Sequence, residues 1–222
     1  MTFEDSGFEI IRNLLAPNQV KILKSELAIL RLAPLRGGIR RIEHLVPKIA
    51  TLAKSLQLLS VAQRYLTGLP KLVRAIYFDK SPENNWFVTW HQDKTVAVSQ
   101  RFEAEGWGPW SLKADIWHVQ PPIELLKNMI TIRIHLDSAA TTNGCLKVIP
   151  GSHNLGLLAT EEVQEQACGQ QIAYCEVPAG GALIMRPHVL HASEKSVAPH
   201  PRRVLHFEYS SFELPKGITW CA

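Results

Sequence analysis

Short segments rich in Val, Ile, Thr and aromatic residues, separated by Pro, Gly and Asn, make up the chain from Leu72 to Ser210. This texture is typical of all-β folds, and it lacks the long helices that alternate with strands in parallel α/β sheets. We therefore expect a mainly β protein, either a sandwich or a closed jelly roll with helices packed outside. Strands are predicted near residues 72–79, 86–91, 129–137, 145–149, 171–177, 182–186 and 202–210.

The first 70 residues have a helical pattern. Pro17 suits a first turn, and apolar residues follow at spacings of three and four, at Val20, Leu23, Leu27 and Leu30. Pro34 and Gly37-Gly38 predict the end of this helix, and a second helix is predicted from about Pro47 to Leu66. Since 222 residues suit one domain, we expect a single domain, residues 1–222, with a helical part (about 1–70) and a jelly-roll core (about 71–222).

Composition excludes several functional classes. The chain is 46% hydrophobic and 20% charged, as in ordinary globular proteins. Its 24 Lys and Arg, against 20 Asp and Glu, are scattered rather than gathered into the basic stripe of a nucleic-acid-binding protein. No run of 18 apolar residues occurs. We expect a cytoplasmic protein with a small-molecule partner, without nucleic acid or membrane, as a monomer or a homo-oligomer.

The four cysteines do not predict a metal or redox site. They show no Cys-x-x-Cys spacing, and they lie at Cys145, Cys168, Cys175 and Cys221. In a reducing compartment, all four are expected to be unpaired thiols.

A candidate metal site begins at His91-Gln92-Asp93. Residues two apart in a strand point to the same face, so this imidazole and carboxylate can bind one ion. A third ligand is available about a hundred residues downstream, at His191 or at His188. Two histidines and one carboxylate leave part of the metal open for substrate and O₂, as in non-haem Fe(II) oxygenases. Taken alone, however, a His-x-Asp pair is usually a solvated turn or a helix cap.

An arginine follows the third candidate ligand at a suggestive separation along the sequence. Arg202 follows His191 by eleven residues, beyond the turn-forming Pro199-His200-Pro201, so we expect an antiparallel hairpin that places the two side by side. An arginine there can bind the far end of a dicarboxylate in bidentate fashion. Strand alternation leaves the choice between Arg202 and Arg203 open, since it groups Arg203 with the apolar positions of this strand.

These motifs together resemble the phytanoyl-CoA dioxygenase family. The chain has, in the order and spacing of that family, His91-Gln92-Asp93, then the segment from Asn143-Gly144-Cys145-Leu146 to Pro150-Gly151-Ser152-His153, then His191-Ala192-Ser193 and Arg202. The resemblance covers about residues 72–210. It implies a double-stranded β-helix (jelly roll, cupin-like), Fe(II), 2-oxoglutarate as co-substrate, O₂, and hydroxylation of a small organic substrate with release of succinate and CO₂.

The resemblance also assigns roles by position. It implies that His91, Asp93 and His191 bind iron, and its spacing favours His191 over His188 and Arg202 over Arg203. By the same resemblance, the 2-oxoglutarate contacts are Arg202, Ser193, Arg133 and Thr131. The family also allows an aromatic residue at the position of Arg133. Asp93 favours hydroxylation over halogenation, because related halogenases have a small residue there.

Substrate-binding candidates come from two other segments. Residues 106–122 form an aromatic-rich insertion, from which Trp110 is a candidate and from which Lys113 and His118 can meet an anionic substrate. The simpler interpretation is that the tryptophans pack the loop onto the barrel and the polar residues are solvated. Arg40 follows two glycines that either bind a phosphate or carboxylate near the barrel mouth or merely end a helix. His153 is expected to be structural.

A second hypothesis belongs to a different class. A jelly roll with histidines can be a cupin-like metal- or ligand-binding protein without oxygenase activity. Ser193 and Arg202 distinguish the two, because a simple metal-binding protein has no use for a dicarboxylate site.

Overall fold

The computed structural model describes residues 2–30, 38–113 and 115–222. Its strands are β1 (Phe8–Ile11), β2 (Ile39–Arg40), β3 (Lys71–Lys80), β4 (Val88–His91), β5 (Val96–Val98), β6 (Trp110–Lys113), β7 (Ile116–Val119), β8 (Met129–His135), β9 (Leu146–Val148), β10 (Ala173–Cys175), β11 (Ala182–Met185), β12 (His191–Ser193) and β13 (Arg202–Ser210). Its α-helices are α1 (Phe3–Ser6), α2 (Pro17–Ile29), α3 (Ile42–Leu45), α4 (Pro47–Ala53), α5 (Leu56–Gln63), α6 (Ile123–Lys127) and α7 (Thr160–Ala167).

Two antiparallel sheets form the jelly roll. The larger has six strands in the order β1-β11-β8-β13-β3-β2, and the smaller has four in the order β10-β9-β12-β4. A cavity of about 270 Å³ is lined by side chains from both sheets. The expected jelly roll with N-terminal helices outside is confirmed.

Strand β13 is buried on both faces. Leu205, Phe207 and Tyr209 are fully buried in the cluster that joins the large sheet to the N-terminal helices, and the Tyr209 hydroxyl donates a 2.7 Å hydrogen bond to the Ala53 carbonyl. The alternate residues His206 and Glu208 are 2% and 0% exposed on the opposite face, toward the smaller sheet. This one strand therefore belongs at once to the apolar core and to the cavity wall.

The N-terminal part differs from the expectation in two respects. Strand β1 pairs with β11 and β2 pairs with β3, so the first 70 residues contribute strands to the barrel as well as helices. The predicted second helix is divided into α4 and α5, because the Ser55 hydroxyl accepts a hydrogen bond from the Leu58 amide and begins a new helix. Helix α2 begins at Pro17, as predicted. Its predicted stop at Pro34 and Gly37 lies outside the described residues.

The insertion at residues 106–122 is not a simple loop. It contains β6 and β7, which form a three-stranded antiparallel sheet with β5. One face of this small sheet packs Trp110 and Trp117 against an apolar cluster. The pairing of Ser111 with His118 and of Lys113 with Ile116 places Lys113 and His118 on the other face. The strand register thus places the tryptophans and the polar residues on opposite faces of the small sheet.

Among the described residues, no helix has the length and apolar character needed to cross a membrane.

Leu205→Ala should lower the free energy of unfolding by about 2–5 kcal/mol, because it opens a void between the large sheet and the helices. The measurement is equilibrium denaturation in urea. Leu69→Ala is the matched control, since Leu69 is 79% exposed, and its effect should lie within about 0.5 kcal/mol. Equal losses in the two variants would contradict the assignment of this face to the core.

Candidate metal centre

Two histidines and one carboxylate converge at the cavity. His91 is the last residue of β4, His191 is the first of β12, and the two strands are neighbours in the smaller sheet with these residues paired. Asp93 follows β4, and its amide donates a 2.9 Å hydrogen bond to the Pro187 carbonyl. The Asp93 carboxylate lies 3.9 Å from His91 Nε2 and 3.6 Å from His191 Nε2. One ligand atom from each of the three residues lies within 4.8 Å of the others.

The backbone orients both imidazoles. His91 Nδ1 donates to the Thr89 carbonyl and His191 Nδ1 donates to the Val189 carbonyl, each at 2.8 Å. Since a carbonyl oxygen can only accept, the proton of each neutral ring lies on Nδ1. The lone pair therefore lies on Nε2, the atom that faces Asp93. The set offers two nitrogen ligands and one oxygen ligand without thiolates, which fits an Fe(II) ion with open coordination positions.

Ionisation also favours metal binding. Burial, and then the neighbouring His191, lower the pKa of His91 to about 4, so that the ring is neutral near pH 7. Burial alone would raise the pKa of Asp93. The interactions with His191, and then with His91, outweigh it and hold that pKa well below the ordinary value. The group is thus neutral at His91 and ionised at Asp93, the states in which these residues coordinate metal.

His188 lies in a different environment. Its ring is 6.1 Å from that of His153, in an edge-on arrangement, and it is 1% exposed. His153 packs against Gly7, and its Nε2 donates a 3.1 Å hydrogen bond to the Glu4 carbonyl. Among the residues that the structure describes, His188 joins no group of possible metal ligands, and His191 does.

The two arginines at the start of β13 point to opposite faces. Arg202 lines the cavity and is 3% exposed; its Nε donates to the Asn143 carbonyl at 3.2 Å. Its Nη1 has no partner within the described part of the chain. Arg203 is on the outer face and forms contacts of 2.7 and 2.9 Å with the Asp137 carboxylate. Burial, and then the charge of Arg133, lower the pKa of Arg202 to about 10, which leaves it charged near pH 7.

The expected hairpin between His191 and Arg202 is wrong. β12 belongs to the smaller sheet and β13 to the larger one. The connecting residues cross from one sheet to the other, so the two side chains meet across the cavity that both line.

Lys80 is a residue that the sequence interpretation missed. It ends β3, pairs with Arg202, and is fully buried. Its Nζ donates to Ser193 Oγ at 3.1 Å and to the Glu194 carbonyl at 2.7 Å. Burial, and then the charge of Arg202, lower the pKa of Lys80 to about 7. Ser193 itself lines the cavity. A lysine at the end of an apolar strand gave no signal, because its hydrogen-bond partner Ser193 lies 113 residues away in the sequence.

A buried polar row supports the large sheet beside the metal group. Arg133 lines the cavity, its Nη1 lies 2.7 Å from His206 Nδ1, and its Nε has no partner among the described residues. His206 Nε2 lies 2.9 Å from Glu208, which Arg74 contacts twice at 2.7 Å. Burial would raise the pKa of Glu208, but Arg74 and His206 hold it below the ordinary value. The alternation of polar residues along β13 is the sequence signal for this row.

Asp93, His206 and Glu208 also lie close enough to bind an ion. Because Arg74 and His206 already approach the Glu208 carboxylate at 2.7 and 2.9 Å, this second group fits an internal ion pair better than a metal site.

The other candidate residues divide into two groups. Arg40, Lys113 and His118 all line the cavity. Trp110 does not, because its strand turns it toward Phe102 and Trp117, at ring distances of 5.1 and 6.2 Å. Thr131 is fully buried opposite Glu208 in the sheet, and it is not among the described residues that line the cavity.

The sequence profile of the phytanoyl-CoA dioxygenase family matches residues 3–204. The chain belongs to this family. Its members are Fe(II)-, 2-oxoglutarate- and O₂-dependent oxygenases, and the donor set described above fits that requirement.

Two curated relatives extend the comparison. An ectoine dioxygenase of Nocardia farcinica (strain IFM 10152) is 23% identical over 234 residues, which cover 96% of this chain and 76% of the relative. A phytanoyl-CoA dioxygenase domain-containing protein 1 of Danio rerio is 24% identical over 225 residues, which cover 95% of this chain and 65% of the relative. The chain thus spans about three quarters of the first relative and slightly less than two thirds of the second.

Solved structures share the fold. HygX from Streptomyces hygroscopicus, with nickel and 2-oxoglutarate bound, matches with a TM-score of 0.66 at 15% identity over 94% of this chain and 83% of its own. SnoN, a non-haem α-ketoglutarate-dependent epimerase from nogalamycin biosynthesis, matches with a TM-score of 0.70 at 13% identity over 94% of this chain and 77% of its own. At these identities the likeness concerns the fold.

His191→Ala should weaken binding of Fe(II), or of Mn²⁺ as an air-stable substitute, by more than about 100-fold, because a ligand matters at least as much as the groups that orient it. Anaerobic calorimetry measures the affinity. His200→Ala, at an exposed position, should bind metal like the unmodified protein. Loss of binding in His188→Gln, with His191→Ala unaffected, would move the third ligand to His188.

Proposed function

We propose that this protein is an Fe(II)- and 2-oxoglutarate-dependent dioxygenase that hydroxylates a small organic substrate and releases succinate and CO₂. The observation that carries this proposal is the pairing of two features in one cavity: the His91, Asp93 and His191 group, and the buried Arg202 with an unpartnered Nη1. A metal site alone would suit a binding protein. The buried unpartnered cation in addition suits a carboxylate, which is what 2-oxoglutarate brings.

Each residue has a definite task in this proposal. His91, Asp93 and His191 hold the metal, and backbone carbonyls fix the ring protons of the two histidines on Nδ1. Arg202 binds the distal carboxylate of 2-oxoglutarate, and Ser193 and Lys80 lie beside it. Arg133 places a further cation on the same wall.

The bound Fe(II) and 2-oxoglutarate would supply O₂ activation and the oxidation of a substrate C–H bond. The protein supplies orientation and a cavity largely shielded from water. Burial of Arg202 and His118, at 3% and 2% exposure, supports that shielding.

Asp93 supports hydroxylation among the reactions open to this fold. Its carboxylate faces both histidines and so occupies a position that a halide would need.

Since similar folds include an epimerase, the product has to be tested directly. Incorporation of one ¹⁸O atom from ¹⁸O₂ into the product formed from the substrate, as distinct from succinate, identifies a hydroxylase. A substrate-derived product without ¹⁸O would exclude hydroxylation.

Anaerobic addition of Fe(II) and then 2-oxoglutarate should produce the visible charge-transfer band of the chelate, and O₂ should then yield succinate. The measurements are absorption spectroscopy and succinate quantification. Metal binding without the band would instead favour a metal-binding protein of cupin-like shape.

Arg202→Gln should weaken 2-oxoglutarate binding by roughly 10- to 100-fold, the effect expected when one charge-assisted contact is lost. Titration of the charge-transfer band measures this affinity. Arg203→Gln is a closely matched control, because Arg203 is the adjacent residue and pairs with Asp137 on the outer face. Its affinity for 2-oxoglutarate should be unchanged. The reverse result would place Arg203 at the co-substrate.

A further inference from the structure

The two ends of the cavity differ in the groups that they present. On the large sheet, Arg202 pairs with Lys80 at one end, and Glu208 pairs with Arg74 six residues further along β13. At about 3.3 Å per residue, these pairs are roughly 20 Å apart along the strand. His206, near Asp93, lies between them. If Arg202 holds the co-substrate on one side of the metal group, the opposite end is left for the substrate.

Cationic groups dominate this opposite end. Arg40 pairs with Ile76, two residues from Arg74 along β3, and Lys113 reaches the cavity from β6. Neither Arg40 nor Lys113 forms an ion pair with any of the described residues. Arg74 is already neutralised by Glu208. Two uncompensated cations therefore stand at this end of the cavity.

Counter-charges for a cationic substrate are missing among the described lining residues. Asp93 is the carboxylate that lines the cavity, and the metal requires it. Glu208 lies behind Arg74 and His206 and is fully buried. An ammonium group would thus meet like charges at Arg40 and Lys113 without an available partner, which opposes its binding.

His118 provides a hydrogen-bonding group at the same end. It lines the cavity, is 2% exposed, and neither ring nitrogen has a partner in the described chain. Val73, next to Arg74 in β3, packs in one apolar cluster with Val119, next to His118 in β7, which places His118 at the Arg74 end of the cavity. Burial first, and then the positive charges of Arg74, Lys113 and Arg40, lower the pKa of His118 to about 4. A buried polar group without a partner is costly unless a ligand satisfies it. A neutral imidazole can donate one hydrogen bond to an oxyanion.

We propose that the end of the cavity formed by His118, Lys113, Arg40 and Arg74 is a substrate subsite for an oxyanion, a carboxylate or a phosphonate, so that the substrate is a small organic anion. His118 donates a hydrogen bond, and Lys113 and Arg40 supply charge at the mouth. This inference rests on the proposed function, because it assumes that 2-oxoglutarate occupies the Arg202 end.

The test uses the full chain loaded anaerobically with Fe(II) and 2-oxoglutarate. Four probes share one ring and differ in the attached group: cyclohexanecarboxylate, cyclohexylphosphonate, cyclohexanecarboxamide and cyclohexylmethylammonium. Calorimetry and the change of the charge-transfer band report binding. We expect the better of the two anions to bind at least about tenfold more tightly than the amide, and the ammonium to bind most weakly. The order of carboxylate and phosphonate identifies the oxyanion that the subsite prefers.

Paired variants test which residues carry this preference. The double variant Lys113→Gln with Arg40→Gln should reduce the anion preference over the amide by about three- to tenfold, a modest effect because both side chains are exposed and screened. The control is Arg12→Gln with Lys21→Gln, which removes the same two charges from exposed positions outside the cavity lining. The control should keep the preference.

The outcomes separate the two proposals. Absence of the charge-transfer band refutes the proposed function before any probe is added. With the band present, equal binding of anion and amide, tighter binding of the ammonium, or no binding of any probe overturns the anion subsite. An equal loss of preference in both double variants does so as well. A double variant that weakens 2-oxoglutarate and leaves the probes unaffected would move Arg40 to the co-substrate end.

Discussion

Burial of charge on one face of β13 is the constraint on which the rest of the structure depends. Glu208 is fully buried, and its charge is tolerated because Arg74 contacts it twice and His206 approaches it at 2.9 Å. His206 in turn is 2.7 Å from Arg133. These contacts link the three central strands of the large sheet through their side chains, so that the cavity wall is both charged and firmly positioned.

The opposite face of the same strand explains why the N-terminal helices are needed. Leu205, Phe207 and Tyr209 require an apolar cover, and helices α2 to α5 provide it. Without that cover the strand would have one polar and one exposed apolar face. The helices therefore serve the site indirectly, since they hold the large sheet against which the smaller sheet positions His91 and His191.

Cationic side chains lie on both sides of the metal group. Arg202, Lys80 and Arg133 lie toward one end, and Arg74, Arg40 and Lys113 lie toward the other. Among these cations of the described wall, only Arg74 forms an ion pair with a carboxylate, that of Glu208. Under the two proposals, a bound dicarboxylate would balance the first end and an anionic substrate would balance the second. The cations that the wall leaves unpaired would then set specificity as much as the metal ligands do.

The sequence by itself determined the jelly-roll class and the family, and it singled out His91, Asp93 and His191, which the structure brings together. The reason is that short strands, His-x-Asp, His-x-Ser and the arginine eleven residues later are local patterns with fixed spacing. It also contained the alternation of polar residues in β13. Only the tertiary structure decided that Arg202 faces the cavity and Arg203 faces Asp137, since alternation cannot tell two buried faces apart. Likewise, the strands within residues 106–122, the packing of Trp110 away from the site, and the contact of Lys80 with Ser193 depend on pairings between distant strands, which no single segment of sequence encodes.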